Sequence, residues 1–208
     1  MDIQKLPDEA FRRYDESSDD DFYQTPRLVT HIDDAAIRAV TELYRQHFRP
    51  GDRILDLMSS WVSHLPTDVD YSGVVGLGMN AQELVTNRRL DGWIVQNLND
   101  NPVLPFPDAS FDGCGICVSI QYLTDPVTVL REAGRVLTPG SPIVITFSNR
   151  CFPTKAVAVW QMLGDEDHLR LVANYLTAAG NWTDITMQDC SPAPGKSDPV
   201  FAVVARRA

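Results

Sequence analysis

The sequence predicts a single α/β domain, a three-layer sandwich with helices on both faces of a mostly parallel sheet. Two observations carry this prediction. Short apolar runs alternate with segments of helical periodicity, and the last two apolar runs are joined by a loop alone, as in a hairpin. The length of 208 residues, with 44% hydrophobic and 22% charged residues, fits one domain with a sizeable core.

The first predicted strand, residues 53–57, is the element around which the chain is organised. It carries Asp56 near its end and breaks into the small polar residues Ser59 and Ser60. In an open α/β sheet, ligands bind beyond the carboxyl ends of the strands. We therefore expect the turn after this strand to form part of a binding site.

The remaining elements follow from periodicity, caps and breakers. Asp33 or Asp34, Asn80 and Asp125 are placed as helix N-caps, and Glu83 is placed as the capping-box partner of Asn80. The predicted helices cover residues 8–15, 34–48, 80–88, 125–137, 155–163 and 165–179. The predicted strands cover residues 53–57, 74–77, 93–98, 111–119, 142–147, 183–188 and 200–205.

Residues 1–32 are predicted to form an N-terminal arm, and residues 33–208 a single domain. The arm contains the acidic run 19–21 and then packs aromatics, an Arg and a His into residues 22–31. A loosely held segment is one interpretation of such a stretch. The other, a lid over the site, is what the family resemblance below implies.

The charge balance and the cysteines limit the function classes. Lys and Arg number 18 against 28 Asp and Glu, a net charge of −10, which disfavours nucleic acid as a partner. No apolar run of membrane-spanning length and no signal peptide is visible, so we expect a cytoplasmic protein. Cys114 and Cys117 have the spacing of a metal or redox pair but lie in a predicted strand, where they point to opposite faces. We expect neither metal nor redox chemistry.

Two blocks carry a family resemblance. Residues 104–112 read LPFPDASFD before the fourth strand, and residues 130–141 read LREAGRVLTPGS before the fifth. Both blocks resemble those of the class I S-adenosylmethionine-dependent methyltransferases, and the similarity covers roughly residues 51–208. It implies a Rossmann-like, seven-stranded, mostly parallel sheet with an antiparallel last strand, S-adenosylmethionine as cofactor, and in-line methyl transfer to a small-molecule acceptor.

The chain departs from the family pattern at the cofactor site. Met58, Ser60 and Val62 occupy the places of the three glycines in the turn after the first strand. Gly78 stands where an acid normally ends the second strand, and Asn97 stands where an acid follows the third. Because neutral hydrogen bonds are typically about half as strong as charge-assisted ones, we expect weaker cofactor binding than the family norm.

The resemblance and the strand ends together select the candidate site residues. The expected cofactor-binding residues are Asp56, Met58, Ser59, Ser60, Gly78, Met79, Asn80, Asn97, Leu98, Asn99 and Ser119. The hydroxyls and backbone N–H groups of Ser59 and Ser60 are expected to donate to the cofactor carboxylate, and Asp56 or nearby carbonyls to accept from its ammonium. The asparagine amides are expected to reach the ribose and adenine, with Met79 as an alternative contact on the adenine. The expected substrate residues are Arg27, Gln121, Asn149, Arg150 and Phe152, with Lys155 as a second cation at the rim.

His31, Tyr23 and Tyr122 are the candidates for a catalytic group, although a general base is needed only for acceptors that carry a proton. Trp61 is expected to pack, and His64 to face solvent.

Three alternatives remain beside a small-molecule methyltransferase. One is a methyltransferase-like protein that binds a nucleoside or a partner protein without catalysis. Another is a protein methyltransferase, disfavoured by the lack of an added substrate domain. An NAD-type dehydrogenase is disfavoured by Met58 and Ser60 at the pyrophosphate turn. The acceptor and the oligomeric state are left open.

Overall fold

A computed structural model describes residues 3–208 and contains one seven-stranded sheet. The strands are β1 (Arg53–Ser59), β2 (Gly73–Gly78), β3 (Gly92–Val95), β4 (Gly113–Cys117), β5 (Pro142–Phe147), β6 (Trp182–Asp189) and β7 (Phe201–Arg207). Their order is β3-β2-β1-β4-β5-β7-β6. β1 to β5 pair in parallel, and β7 is antiparallel to both β5 and β6. The predicted fold class is confirmed.

The helices are α1 (Asp19–Phe22), α2 (Asp34–His47), α3 (Ala81–Thr86), α4 (Pro126–Val136), α5 (Ala158–Gln161) and α6 (Asp165–Ala179). The predicted N-caps are present: the side chains of Asp33, Asn80 and Asp125 accept hydrogen bonds from the first turns of α2, α3 and α4. Gly180 ends α6 with a φ of 80°. No helix within residues 3–208 is both long and apolar enough to cross a membrane.

Two buried clusters cover the two faces of the sheet. α4 and α6 pack on one face, where Leu130 and Val172 are fully buried. Tyr44 and Phe48, from α2 and its C-cap, stack at 5.2 Å on the other face. Cys114 belongs to the first cluster and Cys117 packs against the second, so the two thiols point to opposite faces as predicted. Burial raises the pKa of both thiols, that of Cys117 to about 12.

Two predicted helices are much shorter in the structure, and both differences involve the arm. The predicted helix over residues 8–15 is a 3-10 turn, Asp8–Phe11, and the one over residues 155–163 contracts to α5. The residues that follow the 3-10 turn pair instead with the residues that precede α5. Arg13 and Val157 form an isolated antiparallel bridge, and the Asp15 N–H donates to the Thr154 carbonyl at 2.8 Å. Tertiary pairing has overridden helix propensity here.

A residue with a left-handed backbone lies at the carboxyl end of each of two neighbouring strands: Met58 is the penultimate residue of β1, and Val118 directly follows β4. Met58 has a φ of 60° and Val118 a φ of 49°. Such conformations are costly for non-glycine residues, and most of all for a β-branched one. Backbone strain of this kind concentrates at functional sites.

Candidate functional site

A cavity of about 500 Å³ lies at the carboxyl edge of the sheet, between the ends of β1, β2 and β4 and the arm. β1 pairs with β2 on one side and with β4 on the other, so the cavity sits where the strand order reverses. Its volume is that of a small-molecule site. The apolar side chains that line it include Met58, Leu77, Met79, Leu98, Val118 and Leu123.

The cavity gathers all the predicted site residues except Asp56, Gln121 and Lys155. Asp56 is buried behind the wall, where its Oδ2 accepts the hydroxyls of Ser59, at 2.5 Å, and of Ser63. Burial raises the pKa of the Asp56 carboxyl, against the opposing effect of the two hydroxyls. Asp56 therefore shapes the turn after β1, and its expected direct contact with a ligand does not agree with this geometry.

The serines of that turn also differ from expectation. The Ser59 hydroxyl donates to Asp56, and the Ser60 hydroxyl donates to Glu83 Oε2 at 2.5 Å. A hydroxyl has only one proton, so both side chains present acceptor lone pairs to the cavity. They suit an ammonium group, which leaves the backbone N–H groups of the turn as the expected donors to a carboxylate.

The turn after β1 forms without glycine because Met58 adopts a left-handed backbone conformation. Its φ of 60° is the left-handed conformation that glycine adopts freely, and it coincides with a register shift between β1 and β2. The shift presses Ser59 against Gly78, where an added Cβ would lie 2.1 Å from the Ser59 carbonyl oxygen. An acidic side chain has no room at residue 78.

The asparagines expected to reach a nucleoside hold protein groups instead. Asn80 Oδ1 caps α3, and its Nδ2 donates to the carbonyls of Tyr23 and Gln24 at 2.8 and 3.0 Å. Asn99 Nδ2 donates to Asp19 and to the Tyr122 carbonyl, and its Oδ1 accepts from Thr124.

Asn97 is committed in part, to Asp100 and to the Asn99 N–H. An amide has two donors and two acceptor sites, so Asn80 and Asn99 are saturated. The predicted side-chain contacts of Asn80 and Asn99 with ribose and adenine therefore do not agree with this arrangement, because Asn80 binds two carbonyls of the arm and Asn99 binds Asp19. Asn97 keeps one N–H and one acceptor site, so its contact with the nucleoside stays a prediction.

The arm is fastened by a buried ionic cluster that the sequence did not reveal. Asp19 is only 5% exposed and accepts two hydrogen bonds from Arg13, at 2.6 and 2.7 Å. Lys155 is 0% exposed, and its Nζ donates to the Ser17 carbonyl at 2.6 Å and lies 3.3 Å from Asp19. Lys155 is therefore not the predicted rim cation, and this part of the arm is not loosely held.

Glu83 is a cavity residue that the sequence analysis assigned only to a helix cap. Its side chain does not close a capping box: Oε1 accepts the Arg27 backbone N–H at 2.7 Å, and Oε2 accepts the Ser60 hydroxyl. Trp61 adds another tie to the arm, donating from Nε1 to the Val29 carbonyl at 2.9 Å. The available signal for Glu83 was its position one turn into the helix that follows β2.

Arg27 lies in an aromatic cluster on the arm side of the cavity. Its guanidinium carbon is 4.5 Å from the Phe22 ring centroid and 5.2 Å from that of Phe152. Nη2 donates to the Phe22 carbonyl, while Nη1 is buried without a hydrogen-bond partner. An unpaired donor of a cation, held over aromatic rings, suits an anionic or strongly polarised acceptor group.

The three catalytic candidates line the cavity but differ in proton affinity. Burial raises the pKa of Tyr23 and of Tyr122, the latter to about 12, so both phenols stay protonated at neutral pH. Desolvation lowers the pKa of His31 below its usual value, and Arg27 lowers it further against the opposing charge of Glu83. His31 alone of the three is a proton acceptor at neutral pH.

The loops after β4 and β5 place the other predicted substrate residues. Gln121 is buried, and its Nε2 donates to the Val118 carbonyl, so it supports the strained end of β4 and does not reach the cavity. Asn149 and Arg150 are exposed cavity residues, with Arg150 3.8 Å from Asp198. His64 was expected in solvent, but its surroundings desolvate it and lower its pKa to about 4.

Comparison with known proteins finds similarity to methyltransferases. A family model described as "Methyltransferase domain" matches residues 64–145. The demethylmenaquinone methyltransferase of Mycobacterium sp. (strain KMS) is 33% identical over 110 residues, covering 50% of this chain and 47% of that protein. The chain thus spans about half the length of the curated relatives it matches.

Solved structures agree on the fold. An S-adenosylmethionine-dependent methyltransferase from Mesorhizobium loti superposes with a TM-score of 0.58 at 18% identity, covering 81% of this chain and 98% of that one. The cyclase SpnF superposes with a TM-score of 0.59 at 16% identity, covering 82% and 80%. The same architecture therefore serves proteins named for different reactions.

Proposed function

We propose that the chain binds S-adenosylmethionine in the cavity and methylates a small-molecule acceptor. The methyltransferase-domain match over residues 64–145 and the methyltransferase-like fold support the proposal. One observation carries the proposal: a cavity of about 500 Å³ at the strand-order reversal, closed on one side by the arm. The cavity takes small molecules, and macromolecules would have to displace the arm.

The residues present fit such a ligand in kind. Met58, Met79 and Leu98 offer apolar surface for a purine, and the Ser59 and Ser60 lone pairs suit the ammonium of an amino-acid tail. The Ser119 hydroxyl is buried at the end of β4 without a partner, as expected for a group that awaits a ligand. When bound, the cofactor supplies an electrophilic methyl group.

The acceptor side is built by the arm and the loop after β5. In the proposed reaction Arg27 orients an anionic or polarised acceptor through its unpaired Nη1, against the Phe152 ring. His31, neutral at pH 7, takes the proton when the acceptor atom carries one. Holding the acceptor in line is the main rate effect, worth up to about 7–11 kcal/mol in favourable systems.

Calorimetric titration with S-adenosylhomocysteine tests the cofactor half. We expect binding in the micromolar range or weaker, because Asp56, Asn80 and Asn99 are committed to protein groups. A sub-micromolar affinity would contradict the weakening. No thermal shift with S-adenosylmethionine or S-adenosylhomocysteine at millimolar concentration would refute the proposal, since a ligand that binds the native state must stabilise it.

A pair of serine variants places the ligand in this cavity. Ser119 and Ser148 are both buried with unpartnered hydroxyls, but only Ser119 lines the cavity. Ser119→Ala should weaken S-adenosylhomocysteine binding about three- to tenfold, the value of one hydrogen bond. Ser148→Ala should leave it unchanged. Equal effects would mean that the ligand binds elsewhere.

Transfer is tested separately from binding. A metabolite extract incubated with methyl-tritiated S-adenosylmethionine should acquire label in small molecules, and Arg27→Gln should abolish most of it while retaining cofactor binding. With an acceptor in hand, the rate should rise with pH through the lowered pKa of His31, and His31→Asn should remove that dependence.

A second candidate is a nucleoside-binding protein without methyl transfer, favoured by the cyclase on the same fold and by the commitment of the asparagine side chains. Saturable binding of S-adenosylhomocysteine without label in any small molecule would support it.

A further inference from the structure

We infer that Glu83 is the group that recognises the ribose hydroxyls of the nucleoside, and that the same carboxylate latches the arm. This inference rests on the proposed cofactor binding. Glu83 lines the cavity and is only 9% exposed, yet no lysine or arginine side chain neutralises it among the ion pairs of residues 3–208. A buried carboxylate without a counter-ion needs hydrogen-bond donors.

Two hydrogen-bond donors of the protein occupy about half of the acceptor sites of the Glu83 carboxylate. An ionised carboxylate has about four acceptor sites. Arg27 N–H occupies one on Oε1 at 2.7 Å, and the Ser60 hydroxyl occupies one on Oε2 at 2.5 Å. One site on each oxygen is left, and a vicinal diol supplies two O–H donors. This is the chemistry by which acidic residues bind ribose in α/β nucleotide sites.

Sterics explain why the acid lies here and not at the end of β2. The register shift at Met58 brings the Ser59 carbonyl so close to Gly78 that even a Cβ would approach it to 2.1 Å. The first carboxylate with room to enter the cavity from this side is Glu83, five residues along the chain. The other acid in the cavity, Asp19, is already bound by Arg13, Lys155 and Asn99.

The shared carboxylate couples ligand to arm. Arg27 joins the two, because its backbone holds Glu83 while its guanidinium lies in the aromatic cluster. A nucleoside that fixes Glu83 from the cavity side also fixes the atom that receives the arm. Bound ligand should therefore slow amide exchange at Arg27, in addition to raising the melting temperature.

The experiment compares S-adenosylhomocysteine with its 2′,3′-dideoxy form by calorimetry, on the wild-type chain and on Glu83→Gln. Wild type should bind the parent at least about tenfold more tightly than the dideoxy form. Glu83→Gln should lose most of that preference by weakening the parent alone. Glu166→Gln, at an exposed glutamate of α6 that does not line the cavity, is the matched control and should leave the preference unchanged.

The outcomes separate the two proposals. If wild type binds neither ligand, the proposed function fails. If wild type binds both equally, or if Glu83→Gln weakens both by the same factor, the cofactor site stands and the role assigned to Glu83 is wrong. The wild-type comparison needs no variant, so a poorly folded Glu83→Gln protein would not obscure the answer.

Discussion

The buried Lys155 should be the main fastener of the arm, and Lys155→Met tests this directly. The ammonium donates to the Ser17 carbonyl at 2.6 Å and lies 3.3 Å from Asp19 and 3.5 Å from Asp15. Methionine keeps most of the apolar volume of the 0% exposed side chain but cannot replace these contacts. The variant therefore removes charge and hydrogen bonds with little change in packing.

The expected cost is set by what Asp19 retains. Removing one partner of a buried ion pair typically costs about 3–5 kcal/mol, because the other charge is left uncompensated. Asp19 keeps two hydrogen bonds from Arg13 and one from Asn99, so we expect the lower end, about 3 kcal/mol. For a chain of this size that corresponds to a fall of about 6–12 °C in melting temperature.

Denaturant unfolding and amide exchange together provide the assay. The free energy of unfolding should fall, and the amides of α1 should lose protection more than those of β5. Lys196→Met, at an exposed lysine in the loop between β6 and β7, is the control and should change stability by less than about 0.5 kcal/mol. A loss below about 1 kcal/mol for Lys155→Met, with α1 protection unchanged, would refute this account of the arm.

Three further predictions concern the sheet and the turns. Gly78→Ala should destabilise the chain by about 3 kcal/mol or more, because the added Cβ would lie 2.1 Å from the Ser59 carbonyl oxygen. Gly92→Ala is the control: a Cβ at residue 92 has no atom within 4 Å, so the cost should be under about 1 kcal/mol. Equal melting curves for the two variants would contradict the clash at residue 78. Gly180→Ala should cost about 1 kcal/mol in thermal unfolding, since its φ of 80° strains any side chain. Desolvation lowers the pKa of His64 in the folded chain to about 4, against about 6.5 in the unfolded chain. The stability associated with neutral His64 is therefore complete above about pH 6.5 and is lost as the pH falls toward 4. The free energy of unfolding should fall by up to about 1.4 kcal/mol per pH unit in that range. His64→Asn should flatten that part of the pH–stability curve, and an unchanged slope would mean that His64 is solvated.

Acid conditions should loosen the arm through Asp19. Burial acts to raise the pKa of this carboxyl, but hydrogen bonds from Arg13 and Asn99 outweigh it and leave the pKa below the ordinary 3.8. The stability that Asp19 contributes is therefore complete above about pH 4 and is lost as pH falls through the lower folded pKa. Because both pKa values lie well below 7, the arm should stay fastened throughout the neutral range.

The strands and long helices could be predicted because their signals are local. α6 and β5 appear where periodicity and breakers placed them, and Asp33, Asn80 and Asp125 cap the helices as their spacing indicated. The antiparallel last strand was expected from the resemblance, but the position of β7 between β5 and β6 was not predicted, since no local pattern specifies it.

The roles of the polar residues could not be predicted, because their partners are distant in sequence. Asn80 binds the arm 56 and 57 residues upstream, and Lys155 binds Ser17 across 138 residues. A lysine in a polar loop and an aspartate in an acidic run both look solvated by composition, and only the fold pairs them. The cavity could be located from strand ends alone, but which of its groups are free to bind could not.

Some polar side chains of the cavity hold the arm, and others remain free for a ligand. Side chains that a nucleoside would ordinarily use at these strand ends instead hold the arm, leaving Glu83, Ser119 and the lone pairs of Ser59 and Ser60 for the ligand. A site with fewer free groups binds more weakly unless the arm helps to hold it, and the Arg27 backbone N–H already ties the arm to Glu83. Affinity for the cofactor should therefore depend on the integrity of the arm, so that Lys155→Met weakens S-adenosylhomocysteine binding although Lys155 does not line the cavity. Unchanged affinity in that variant would show that the arm covers the ligand without helping to bind it.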